Sequence, residues 1–182
     1  MPNHCGNKLI IRGSVDDRRH FLDTTRDKAE LDLNKIIPTD DSYQYHVMLW
    51  GTKWGCYDSH VHVFDDRTEI TFLTAWCPYT KTVQIKMTEL FPMLSFELLF
   101  AEQGREFYGW YKCKYDDFTG QVVFVEFTGE LKPVQDCVSF CKEECDKRTC
   151  EKHCYAEGEC EEHEFYLTGE QAKYQELYEI SG

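Results

Sequence analysis

His60-Val61-His62-Val63-Phe64-Asp65-Asp66-Arg67-Thr68-Glu69-Ile70-Thr71-Phe72-Leu73-Thr74-Ala75-Trp76 decides the fold. Two runs rich in β-branched and aromatic residues flank the turn-like Asp65-Asp66-Arg67-Thr68, which predicts a β-hairpin. Past Pro78, Val83, Met87, Leu90 and Phe91 recur at i, i+4, i+7 and i+8. That is the spacing of a helix with one core-facing stripe, and Pro92 stops it. Leu94, Phe96, Leu98 and Phe100 then alternate with Ser95, Glu97 and Leu99, as a strand with one buried face requires.

Upstream of the hairpin, Lys8-Leu9-Ile10-Ile11-Arg12-Gly13 reads as a short buried strand ended by glycine. Ser14 caps a following helix that should run to about Lys28 on a thin stripe of Val15, Phe21, Leu22 and Ala29. Residues 31–45, with Pro38 and polar neighbours, read as an extended connection. The order is then strand, helix, two strands, helix, strand, the split βαβ or ferredoxin-like arrangement. The expected class is α+β: an antiparallel sheet with helices on one face. Residues 107–115 and 121–127 add a further hairpin around Asp116-Asp117-Phe118-Thr119-Gly120, and residues 170–180 suit a short amphipathic helix.

At 182 residues the chain suits one domain with an extension better than two independent domains. Hydrophobic residues at 42% and aromatics at 15% are those of a packed body. The charge is uneven: residues 130–182 carry 14 Asp/Glu against 6 Lys/Arg, out of a net −13 for the whole chain. We therefore divide the sequence into a body, 1–132, and an acidic, cysteine-rich C-terminal extension, 133–182. Such acidity opposes a nonspecific hold on nucleic acid, which needs clustered Lys and Arg. No run approaches the roughly 18 apolar residues of a spanning helix, and Met1 to Gly6 lacks the basic and apolar regions of a signal peptide. The expectation is a cytoplasmic protein without membrane contact, its ten cysteines held in a reducing compartment.

Four blocks carry a resemblance: Met1-Pro2-Asn3-His4-Cys5-Gly6-Asn7-Lys8-Leu9, Trp50-Gly51-Thr52-Lys53-Trp54, Phe72-Leu73-Thr74-Ala75-Trp76-Cys77-Pro78, and Phe91-Pro92 with Glu102, Gly104, Phe107 and Gly109 downstream. In order and approximate spacing the chain resembles the YubB ferredoxin-like family, Api-type proteins of phages, plasmids and viruses. His4 departs from that family's aromatic, Cys77 and Tyr79 alter the turn after Trp76, and the cysteine-rich tail lies outside the pattern. The resemblance implies a ferredoxin-like fold and carriage on a mobile element, in the host cytoplasm or in a virion. It implies no particular activity.

Three groups of residues are candidate sites. Trp50, Lys53, Trp54 and Trp76 suit an aromatic pocket for a flat or cationic ligand, with Lys53 beside tryptophan for a cation–π contact; equally, the tryptophans would plug the open end of a small sheet. His60 and His62 share a strand face, and His4 and Cys5 adjoin, but sequence supplies neither pair with further metal ligands. In the tail, Cys137, Cys141 and Cys145 drift only about 40° per step on a helix and so share a face. Cys150 and Cys154, with His153, form a second group, which meets the first only if the helix breaks after Cys145. Four thiolates, or three with a histidine, would then hold Zn²⁺; disulfide-linked helices and an unliganded thiol-rich tail are the rival readings.

No Gly-x-Ser-x-Gly, His-Glu-x-x-His, phosphate loop or dinucleotide glycine pattern occurs. The leading expectation is a nonenzymatic accessory protein that contacts a protein or small ligand through its tryptophan-lined end. Rival readings are an acidic decoy of a host nucleic-acid-binding protein and a small hydrolase or transferase.

Overall fold

A computed structural model describes residues 3–40, 42–102, 107–130 and Leu177. Strand β1 (His4–Arg12) places Cys5, Asn7, Leu9 and Ile11, all fully buried, on one face. The chain then turns into α1 (Val15–Thr25), where the Ser14 hydroxyl accepts the Asp17 N–H at 3.1 Å and satisfies one of the open helix donors.

The helix stops three residues short of the sequence expectation, because the chain folds into the two-residue strands β2 (Arg26–Asp27) and β3 (Glu30–Leu31) around Lys28 at φ 53°. Its buried stripe also differs. Val15 is half-exposed and Ala29 lies outside the helix; the inward positions are Arg18, Phe21 and Thr25. Arg18 is only 2% exposed, and its guanidinium donates to Phe64 O, Asp65 O and Thr68 Oγ1 at 2.7–3.1 Å. This buried charge thus pins the hairpin turn.

The connection from residue 31 to 45 is more structured than expected. A 3₁₀ turn, Leu33–Lys35, buries Leu31, Leu33 and Ile36, and α2 (Tyr43–Tyr45) runs into a π-helical turn, His46–Trp50. The predicted hairpin follows as β4 (Tyr57–Val63) and β5 (Thr68–Ala75). In α3 (Lys81–Leu90) the inward face is Val83, Gln84, Met87 and Thr88, whereas Leu90, expected in the stripe, is 46% exposed. Gln84 is tolerated in the core because its Oε1 accepts the Tyr79 hydroxyl at 2.6 Å.

β6 (Ser95–Glu102), β7 (Phe107–Asp116) and β8 (Gln121–Glu130) complete an antiparallel sheet in the order β4-β5-β1-β6-β7-β8. The first four strands of that order are the ferredoxin-like set, and the β7–β8 hairpin extends it beyond β6. Helices and sheet share one core, in which the Phe21 ring meets Phe91 and Phe96 with centroids 5.1 and 5.4 Å away.

A second, smaller cluster lies on the opposite face. Leu99 and Ala101 from β6 bury Leu177, which is helical and 0% exposed, with Ile10, Tyr108 and Trp110 packed around them. The rest of the proposed extension, including Cys137, Cys141, Cys145, Cys150, His153 and Cys154, lies outside the described residues. Among the described residues no helix is long and apolar enough to cross a membrane.

Candidate ligand-binding site

Three stretches far apart in sequence are knitted together at one end of the sheet. Thr52 Oγ1 donates to Ala75 O at 3.1 Å and accepts the Ala75 N–H at 3.0 Å. The Trp76 N–H donates to Asn3 O at 2.9 Å, and Asn7 Nδ2 donates to Thr74 Oγ1 at 2.9 Å. Thr80 closes the corner, its N–H on Trp50 O and its hydroxyl on Leu49 O. Gly51 is required where these strands of chain cross: its φ is +79°, and a Cβ there would stand 2.6 Å from Thr80 Cγ2.

This scaffold holds three aromatic side chains around one ammonium group. Lys53 Nζ lies 4.8 Å from the ring centroid of Trp54, 5.6 Å from Trp76 and 5.8 Å from Tyr43, all within cation–π range. Trp76 reaches its place with φ 73°, a left-handed conformation that costs a bulky residue about 1–3 kcal/mol. The Trp76 N–H bond and the paired bonds of the preceding Ala75 to Thr52 offset that cost. The cluster extends through Tyr57, whose ring is 6.4 Å from Trp54 and whose hydroxyl is 2.5 Å from His4 Nδ1. A register shift in β4 between Tyr57 and His60, with Asp58 at φ 58°, turns Tyr57 toward this corner.

Lys53, Trp54 and Trp76 thus come together, and Trp50 does not join them. It is 5% exposed, its indole N–H donates to Ile37 O at 2.9 Å, and its ring stacks on His46 at 4.2 Å. Trp50 plugs the sheet end while Trp54, 38% exposed, lines the surface. Tyr43 and Tyr57 were not legible as partners: one lies in a connection without period, the other is re-aimed by a bulge. His60 and His62 share a face and are both exposed. Among the described residues no three His, Cys, Asp or Glu side chains converge as a metal site.

Burial pushes the Cys5 and Cys56 thiols well above the ordinary value, and it raises the Tyr57 hydroxyl. Burial thus disfavours the thiolate forms of Cys5 and Cys56.

No protein-family model and no curated protein matches the chain. Among solved structures, it is similar over 57% of its length to protein api92 from Yersinia pseudotuberculosis, assigned to DUF1281, with a TM-score of 0.43 and 16% identity. The matched region spans 40% of that protein.

Proposed function

We propose that the chain is a nonenzymatic binding module whose Tyr43–Lys53–Trp54–Trp76 corner receives a flat group carrying negative charge, free or borne by a partner protein. The observation that carries this reading is the Lys53 ammonium set among three rings with Trp54 open to solvent. A cation is already in place, so a second one meets repulsion, whereas an anionic ring gains both stacking on Trp54 and an ion pair with Lys53. The resemblance of the first, second and third sequence blocks to the YubB family supports a role as an accessory protein of a virus, phage or other mobile element, acting in the host cytoplasm.

Isothermal titration calorimetry with indole-3-acetate, indole and tryptamine tests the reading, since the three share an indole ring and carry an anionic side chain, none and a cationic one. Indole-3-acetate should bind tightest. Trp54→Ala should weaken it by about tenfold, the size of one lost stacking contact of ~1–3 kcal/mol. Lys53→Ala should bring indole-3-acetate down to the level of indole. Tighter binding of tryptamine, or no loss in Trp54→Ala, would remove the proposal.

A further inference from the structure

The outer face of the sheet, opposite α1 and α3, is divided into two halves. One half is apolar and covered: Leu177 sits fully buried against Leu99 and Ala101, beside Tyr108 and Trp110. The other half, one strand step further along, is a groove of 260 Å³ lined by Arg12, Glu97, Lys112, Lys114, Val123 and Val125. Arg12 and Lys112 both reach the single carboxylate of Glu97, at 3.2 and 3.1 Å, so the groove keeps a positive excess. Lys112 also lies 5.0 Å over Trp110, which joins the two halves. A basic, apolar-floored groove is out of character on a chain of net charge −13.

We infer that this face is the docking surface of the chain's own C-terminal segment, anchored by Leu177 and steered by its carboxylates toward the Arg12–Lys112–Lys114 groove. Three observations select this occupant over an external one. Leu177 is already seated there. The segment leaves the sheet from β8, the strand that carries Val123 and Val125, so tethering gives it an effective concentration no free partner matches. Its charge is complementary, with Glu170, Glu176 and Glu179 close to Leu177 in sequence. The inference concerns a surface other than the aromatic corner and does not depend on it.

The test uses the full chain under reductant and chelator, so that neither disulfides nor metal hold the segment. Hydroxyl-radical footprinting reads Tyr108 and Trp110, and hydrogen exchange reads the peptide 170–182. Leu177→Asp should raise Trp110 oxidation and speed exchange of that peptide by about tenfold or more, the weight of one buried leucine. Trp50 oxidation should stay unchanged, which shows the main core intact, and Leu177→Ala should move both readouts the same way by less. Lys112→Gln with Lys114→Gln should speed exchange by only about two- to threefold, because exposed ion pairs are weak, and should weaken its sensitivity to salt. The inference is overturned if Leu177→Asp leaves both readouts unchanged. It is equally overturned if wild-type protection fades on dilution with a dimeric mass, which assigns the face to a second copy. Binding of a single-stranded oligonucleotide as tightly by wild type as by Leu177→Asp overturns it too, since the face would then be open.

Discussion

Gly109→Ala is expected to destabilise the fold by about 3 kcal/mol or more, the upper end of what overpacking a well-packed site costs. Gly109 lies in the middle of β7, paired with Phe100 on one side and Thr128 on the other. A Cβ built there would stand 2.3 Å from Phe127 O and 2.6 and 2.8 Å from Phe100 Cζ and Cε2. Neither neighbour yields cheaply. Phe127 O belongs to the β8 backbone, and the Phe100 ring is 1% exposed, held between Phe107 and Tyr111 with centroids 6.2 and 5.0 Å away. The same change at Gly55, where no atom lies within 4 Å of the added carbon, is the control and should cost under about 0.5 kcal/mol. Denaturant midpoints of the two variants decide the matter. A Gly109→Ala protein within about 1 kcal/mol of wild type would mean that β8 does not lie against β7 as described.

Gly109 also shows where legibility ends. It could be read as part of a sequence pattern, but nothing local says that an aromatic ring from the neighbouring strand occupies the space of its missing side chain. The strands and helices themselves were readable because period-2 and period-3.6 apolar patterns are local properties, and both hairpins and the capped start of α1 stand where those patterns put them. What failed was the inward-facing identity of polar residues. Arg18 is buried because acceptors 46 to 50 residues away hold its guanidinium, whereas Gln84 and Thr88 are buried on hydrogen bonds to Tyr79 and to Gln84 O, five and four residues off. The candidate site divides the same way. Lys53, Trp54 and Trp76 are legible in the sequence as one group, whereas Tyr43 and Tyr57 reach it only through a π-helical turn and a bulge.

A chain ended after Lys132 is expected to keep one cooperative unfolding transition, at a lower midpoint than the full chain. Among the described residues the main core, from Cys5 to Phe100, includes none of the extension, so its helices and its face of the sheet are expected to stay covered. The outer cluster is not so independent: removing Leu177 uncovers Leu99 and Ala101. Full burial of a leucine is worth about 1.5–3 kcal/mol, which is a substantial share of a typical domain stability of ~5–15 kcal/mol without exceeding it. Truncation should therefore weaken the body and not unfold it. Residues 137–163, by contrast, offer scarcely any large apolar side chain beyond Val138 and Phe140 to set against an ordering cost of about 1–2 kcal/mol per residue. We propose that Cys137, Cys141, Cys145, Cys150 and Cys154, with His153, supply the missing stabilisation as thiolate and imidazole ligands of Zn²⁺ or as disulfides. Chelator and reductant added to the full chain should then speed exchange across 137–163 and leave β1, β5 and β6 protected. Two results would sink this division: a 1–132 chain with no cooperative transition, or a 137–163 segment equally protected after its metal is stripped and its thiols are reduced. The first would mean that the body needs the extension to fold, the second that the cysteine-rich segment is not stabilised by its own cross-links.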